Sequence, residues 1–565
     1  MHILSLHYQI WIVLIVYFAG MLVLGWRSKS RAASHEGYLL GNRKFGTWWL
    51  VMHAFGAGTS PADVSGSFSK TVTGGASGIW VSWMWLFGTP FYWVIAPIIR
   101  RMRCQTMADM FFERFGKSAA MLYTIIAALG MTMYLCSVQL ATVRTIQGMM
   151  GQSTLAATGQ TDWWFYGILI SSTLIFALYG YWGGIVAAVR TDMVQGLMII
   201  VLSVLCILPA LHYDGMGGWS EVRQILGDAQ TGGKSYLSLF DASMFSLKNV
   251  IVLCLYAPLV ALSFPHLMPI CGGGRTEWEG RMGFAGGNFL KRVCTIGWSV
   301  LALAWLAYLI KSGSDIHPDA AFGDSIRALL PPFLQGVILA CVMAAAMSSG
   351  DSFQVTVASL FTHTFYAAYK PDASDEEKLR FTKRMGLVLV VAVLCLAIYM
   401  QESLVKAILA YFGILGIIGI ANGMGILWRR MNTAGVFGTV TLGATAMILT
   451  KTAGEAAWLK PLLEFIPGTG WVIILSILGG ILGSLGTAPP SPETIERVFS
   501  KMHTPIGRDD MLPCRLDQAV PPEARLFTKW GLFIVKPDRQ TVIGFLVFSV
   551  LCLACIGVML LLLIG

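Results

Sequence analysis

Charge is what this chain has least of. Asp, Glu, Lys and Arg make up 12% of its 565 residues, roughly half the share of an average soluble domain. So thin a polar complement cannot cover a water-soluble globule that is 56% hydrophobic, so the chain reads as a polytopic membrane protein. Paired metal ligands are missing as well. The 11 cysteines are mostly solitary and lie inside apolar stretches. The one Cys-x-x-Cys pair, Cys552 and Cys555, sits in the last apolar run, where thiols act as small hydrophobes. There is no P-loop and no nucleophile elbow, and Gly272-Gly273-Gly274 lacks the Lys-Ser/Thr pair of a phosphate cradle. An enzyme would need catalytic carboxylates or histidines clustered at one interface, and none are visible. A sensor would need a soluble signalling domain, and a channel a repeated ring of charges or carbonyls.

What the sequence does have is apolar length. Runs of roughly 18 or more residues give about 14 candidate spans: 8–26, 46–68, 79–99, 119–149, 163–181, 187–211, 250–268, 294–310, 337–366, 386–399, 404–427, 436–449, 471–485 and 543–564. The first has no basic n-region and no small-residue cleavage site, and is read as a retained helix. Most of the 40 Lys and Arg fall in alternate loops, the positive-inside bias. The net charge of +10 therefore implies no nucleic-acid partner. The basic loops are expected in the cytoplasm, and an even span count puts both termini outside. The expectation is a multi-pass protein of a plasma (bacterial inner) membrane, partnered by the lipid bilayer, with no obligate protein partner evident. The longest basic loop, 487–539, is too short for an average domain and reads as a cytoplasmic linker or inhibitory surface. Aromatic stretches at 79–93 and 163–166 suit interfacial belts or a cavity lining.

Two kinds of polar feature interrupt the apolar runs. Ala345, Ser348, Ser349 and Ser352 are spaced to share one helix face, with Asp351 beside them. An ionisable residue at membrane depth is a functional-site hypothesis by default, and the hydroxyls offer hard oxygens to a small cation. The plainer reading is close helix packing by small residues. The span 46–68 contains Gly56, Gly58, Pro61 and Asp63, and the span 250–268 contains Pro258, Pro265 and His266. Both predict helices broken in mid-membrane. Unwound backbone survives there only when buried in protein or lining a cavity. The two spans are five apart, the spacing expected of a transporter with inverted repeats and a midplane binding site; simple Pro/Gly kinks are the alternative.

At this point the chain resembles the sodium:solute symporters, over about residues 8–450. The resemblance rests on Gly37-Tyr38-Leu39-Leu40-Gly41-Asn42-Arg43, on Asp63-Val64-Ser65-Gly66 followed by Gly74, and on Tyr181-Trp182-Gly183-Gly184-Ile185 with Thr191, Asp192 and Gln195. Ala345-Ala346-Met347-Ser348-Ser349 and Leu427-Trp428-Arg429-Arg430-Met431-Asn432 complete it. It implies an all-α polytopic membrane protein with a LeuT-type inverted five-helix repeat, flanking helices and about 14 transmembrane helices. The divisions implied are a first helix and loop at 1–45, repeats at 46–211 and 246–427, additional helices at 428–486, a linker at 487–539 and a last helix at 540–565. It also implies a Na+ site made by the carbonyls of Pro61, Val64 and Ala345 and the side chains of Ser348 and Ser349. A second cation site is implied at Asp192, Ser348, Asp351 and Ser352, where Asp351 departs from the usual small residue and could carry a proton instead. Asp192 could alternatively be a helix cap.

The function expected is sodium-coupled import of a small organic solute by alternating access. Ser82-Trp83-Met84-Trp85, Pro258 and Ala261 stand where sugar-carrying members have polar groups, which argues against a neutral hexose. Arg144 offers a planar guanidinium able to grip a carboxylate through two hydrogen bonds, as some acid-carrying members do from the third core helix. The expectation is therefore an anion, a carboxylate or acidic sugar, bound by Arg144 with Ser65, Gln139 and His53 nearby. Neutral sugar or amino-acid symport, proton coupling through Asp351, and snorkelling of Arg144 to the interface stay open.

Overall fold

The computed structural model describes residues 2–3, 5–28, 40–152, 163–207, 218–231, 233–241, 244–401, 403–452, 460–508, 512 and 515–564. Their side chains are described except at 2, 3, 22, 25–28, 175–187 and 231. The described chain is helical, with three two-stranded ribbons as its only sheets. The helices used below are α1 (Tyr8–Ser28), α2 (Thr47–Gly58), α3 (Pro61–Gly74), α4 (Thr89–Arg101), α5 (Met107–Phe115), α6 (Lys117–Met149) and α7 (Trp163–Leu205). They continue with α8 (Leu247–Ala261), α9 (Leu267–Gly272), α10 (Gly287–Ser312), α11 (Pro332–Phe361), α12 (Asp375–Tyr399), α13 (Leu404–Leu427), α14 (Thr433–Thr452) and α15 (Gly468–Leu485). The last two are α16 (Pro492–His503) and α17 (Arg539–Ile564).

Among the described residues ten helical stretches are long and apolar enough to cross a membrane, and Tyr8–Met21 and Leu247–Ala261 are shorter apolar helices. Three of the expected spans have no separate counterpart. The span 46–68 is divided between α2 and α3. The spans 163–181 and 187–211 run together as α7, a 43-residue helix, about 64 Å long at 1.5 Å per residue. The pattern Tyr181–Ile185 falls there among side chains outside the described set, and residues 37–39 of another pattern lie outside the described residues altogether. The span expected to begin at 294 begins earlier, at Gly287, because the apolar face continues through Phe289 and Leu290. That brings Lys291 and Arg292, which the sequence had seemed to leave in a loop, inside the bundle.

Glycine sets close helix contacts. A Cβ on Gly438 would lie 2.2 Å from the carbonyl oxygen of Gly479, and one on Gly479 would lie 2.1 Å from that of Gly438. α14 and α15 therefore touch backbone to backbone, as small residues permit in a membrane. The last helix is bound to α4 and α10. Trp93 donates its indole N–H to the Gln540 carbonyl at 3.1 Å, Arg281 donates to Thr541 Oγ1 at 2.8 Å, and Gly544 leaves room for the Trp93 ring.

The described parts of the segment 487–539, expected as a cytoplasmic linker or inhibitory surface, are folded against the basic face. Lys501 on α16 pairs with Glu113 at 2.7 Å. Arg103 donates to the Pro505 carbonyl at 3.2 Å, and Ile506 N donates to Glu277, itself held by Arg101 at 2.8 Å. Further on, Arg429 N donates to Gly531 O and Phe533 N to Leu427 O, both at 2.8 Å. Backbone pairing of this kind fixes a loop that composition alone marks as irregular. Replacing Gly438 with Leu should force α14 and α15 apart at a cost of about 1–3 kcal/mol, read as a lower thermal unfolding midpoint of the detergent-solubilised protein. An unchanged midpoint would contradict the contact.

Candidate sodium and solute site

The first broken helix is the centre of the site. α2 stops at Gly58, Thr59 and Ser60 are extended, and α3 restarts with Pro61 at its first position, where the missing N–H costs nothing. Ser60 and Asp63 form a capping box: Ser60 N donates to Asp63 Oδ2 at 2.9 Å, and the reciprocal contact is present. The break frees the carbonyls that close α2. Gly56 O accepts from Thr59 N at 3.2 Å, Ala57 O accepts from Ser349 Oγ at 2.9 Å, and Gly58 O accepts from Lys291 Nζ at 2.5 Å. Lys291 also pairs with Asp63 at 2.8 Å. Tyr134 of α6 reaches Ser349 with its hydroxyl at 3.4 Å and stands edge-on to Tyr411 at 5.0 Å.

A second cluster lies one turn earlier along α2. His53 Nδ1 is 2.5 Å from Asp192 Oδ2 on α7, and Ser348 of α11 donates to the other oxygen of Asp192. Asp351, one turn further along α11, accepts from Ser352 N at 2.6 Å. Gly56 makes this possible. A Cβ there would stand 2.9 Å from Ser348 Oγ and 3.4 Å from Asp192 Cβ. Gln195, on the same helix as Asp192, donates to the Tyr17 hydroxyl at 3.2 Å, while its buried Oε1 has no hydrogen-bond partner among the described residues. Together the two clusters bury three carboxylates, Asp63, Asp192 and Asp351, with the Lys291 ammonium and the His53 imidazole. Buried carboxylates of this number need counter-charges or protons in a low-dielectric interior.

The residues expected from the sequence divide. Ala345, Ser348, Ser349, Asp351 and Ser352 lie buried on α11, and Ser348 and Ser349 face α7 and α2. Pro61 and Val64 are not unwound: both belong to α3, and the open carbonyls are those of Ala57 and Gly58, one turn earlier. Proline ends the break because its fixed φ suits a helix start. The four expected solute residues each hydrogen-bond elsewhere rather than to one another. Ser65 Oγ pairs with Thr145 Oγ1 at 2.9 Å, Gln139 accepts from Ser172 at 3.1 Å, and His53 belongs to the Asp192 cluster. Arg144 donates to Gln147 at 3.0 Å and to the Gln401 carbonyl at 2.8 Å, with its guanidinium 5.0 Å from the Phe165 ring. It is tied to the α12–α13 connection rather than to the break. Lys291 was missed. Its signal was present, a Lys-Arg pair directly before an apolar run, but the expected span began at 294, seven residues after the helix starts at Gly287, and left the pair outside.

A helix broken at membrane depth, with freed carbonyls beside a hydroxyl-bearing helix, defines a secondary transporter of the discontinuous-helix kind. The family model for the sodium:solute symporter family matches residues 38–443. The chain belongs to that family. It is similar to the osmoregulated proline transporter OpuE of Bacillus subtilis (strain 168), 26% identical over 515 residues, covering 88% of this chain and 99% of that protein. It is also similar to the sodium/proline symporter of Salmonella typhimurium, 25% identical over 531 residues, covering 86% of this chain and 94% of that protein. A solved structure of a Na+-coupled sialic acid symporter in its substrate-bound outward-open state shares the fold, with a TM-score of 0.69 at 18% identity, over 86% of this chain and 99% of the other.

Valine at Gly56 should part α2 from Asp192 and Ser348. The stabilisation that NaCl gives over choline chloride in a thermal-unfolding assay should then fall by at least half, with helical content unchanged. An undiminished sodium response would show that this three-helix approach does not form the cation site.

Proposed function

We propose that this chain is a sodium-coupled symporter whose solute is a small amino acid of the proline type. The observation that carries the solute class is the buried pair of Asp63 and Lys291 at the helix break. A zwitterion complements it: the solute carboxylate takes the Lys291 ammonium and the solute ammonium takes Asp63, so each buried charge keeps a partner when the internal pair opens. The names of the proline-carrying relatives favour the same class. An acidic sugar or simple carboxylate would leave Asp63 uncompensated, and Arg144, the residue on which that expectation rested, is engaged elsewhere.

Sodium is the second cargo. Ala57 O, the hydroxyls of Ser348 and Ser349 and the Ala345 carbonyl on α11 form its first coordination set, a hard-oxygen set at a helix end. Asp192, Asp351 and Ser352 form a second cation site. Each serine hydroxyl that now donates to an oxygen keeps lone pairs for a cation. Sodium at the end of α2 would place a positive charge beside the buried carboxylates and fix the break against α11, and that is the state in which the solute pair is complete. Coupling is then thermodynamic and reciprocal: each cargo raises the affinity for the other. The basic loops put the α16 face in the cytoplasm, with both termini outside.

In proteoliposomes, an imposed sodium gradient at equal pH should drive concentrative uptake of labelled proline or a close analogue, and a proton gradient alone should not. Lys291→Gln and Asp63→Asn should each lower uptake about 10- to 100-fold, the size of one lost charge-assisted contact, and Arg144→Gln should leave it within a factor of about 2. Uptake driven by a proton gradient without sodium would overturn the coupling. Sodium-driven uptake of sialic acid or a dicarboxylate, with no amino acid transported, would overturn the solute class.

A further inference from the structure

Away from the helix break, a cavity of about 1220 Å³ opens between α4, α8, the ends of α13 and α15, and α17. Its walls are hydrocarbon. Phe91 and Ile95 come from α4, Cys254 and Leu255 from α8, Ile477 from α15 and Ile556 from α17. It follows the chain from Trp80 to Ile98, through a short helix and a 3-10 turn into α4. Trp80, stacked on Phe240 at 5.8 Å, lies at one end. Trp428 and Trp530 lie at the other, on the basic face. An apolar cavity of this kind excludes water, sodium and a zwitterion, and takes hydrocarbon.

The basic-face mouth is built, and it is cationic. Trp428 donates its indole N–H to the Trp530 carbonyl at 3.0 Å, and backbone bonds from Arg429 to Gly531 and from Phe533 to Leu427 flank it on both sides. Gly531 packs between Trp428 and the Arg430 stem, where a Cβ would stand 3.1 Å from Trp428 Nε1 and 3.5 Å from Arg430 Cβ. One Arg430 guanidinium nitrogen donates to the Thr487 carbonyl at 2.7 Å. The other, Nη1, is buried and has no hydrogen-bond partner among the described residues. Lys529 is exposed directly before Trp530. Basic pockets between membrane helices on this side recognise anionic headgroups, and a planar guanidinium with a spare N–H fits a phosphate oxygen.

We propose that this slot is a binding site for an anionic phospholipid of the basic-face leaflet, with one acyl chain lying in the slot and its phosphate held by Arg430 and Lys529. The site is independent of the solute reading. Its walls nonetheless bear on transport. Pro258, Leu259 and Leu262, at the broken end of α8, form one wall, and Ile420, Gly423 and Met424 of α13 face them. A bound chain is therefore a packing element between a discontinuous helix and its neighbour.

The full chain, reconstituted in nanodiscs of phosphatidylcholine with a trace of phosphatidylglycerol bearing a mid-chain diazirine, is illuminated and its peptides are mapped. Adducts are expected on 247–262 and 420–428, competed by excess unlabelled phosphatidylglycerol and not by phosphatidylcholine. Arg430→Gln should raise the phosphatidylglycerol needed for half-maximal labelling at least fivefold, and Cys254→Trp, which fills the slot, should remove those adducts while leaving elution volume and helical content unchanged. Three outcomes overturn the proposal: labelling no stronger than at the exposed outer residues Val550 and Leu553 of α17, equal competition by phosphatidylcholine, or a disulfide-linked dimer of a Leu255→Cys variant under mild oxidation, which shows a second copy in the slot.

Discussion

A helix that stops at Gly58 and resumes at Pro61 in the middle of a membrane protein leaves backbone carbonyls with no partner of their own, each costing several kcal/mol in hydrocarbon. The neighbouring structure is arranged around that deficit. Ser349 meets the Ala57 carbonyl and Lys291 meets that of Gly58. A buried ammonium needs a counter-charge, and Asp63 supplies it. Asp63 in turn caps the resumed helix through Ser60. One interruption of hydrogen bonding thus dictates a hydroxyl, an amine and a carboxylate, and each is held by two independent contacts.

The same interruption explains why α2, α7 and α11 come so close. Only a residue without a Cβ at Gly56 lets Ser348 and Asp192 approach the end of α2. The carboxylate of Asp192 then finds His53 and Ser348, and Asp351 adds a further negative charge one turn along. Under the proposed function these buried carboxylates give the interior an affinity for a monovalent ion, and the ion's arrival is felt at the break through Ser349 and Ala57.

Much of this was legible in the residues. Glycines, a proline and an aspartate in an apolar run announced the break, and the i, i+3, i+4, i+7 spacing put Ser348 and Ser352 on one face. Local chemistry fixes such features. Less legible was which carbonyls the break would open, because Pro61 can equally end one helix or begin the next, and only the capping box of Ser60 and Asp63 decides. Lys291 was hidden by hydropathy, since a charged pair at the edge of an apolar run looks like a loop until its partners are known. Arg144 erred in the opposite direction. A guanidinium in a membrane helix is costly enough to suggest a ligand, yet backbone carbonyls such as that of Gln401 satisfy it just as well. The segment 487–539 looked like a tether because its pairing partners, Leu427 and Arg429, lie about a hundred residues away, beyond any local pattern.

The last helix lies at the far end of the chain from the break, yet it is not peripheral. Trp93 and Arg281 fasten its start to α4 and to the short helix Glu277–Arg281, and Cys552 reaches the Leu86 carbonyl at 3.3 Å midway along it. Phe548 packs on Trp93 and on Phe289 of α10. Whatever tilt α4 and α10 undergo, α17 has to share it like an outrigger, sweeping a broad apolar flank through the surrounding lipid. The viscosity and thickness of that lipid thereby become part of the mechanical load on the turnover cycle.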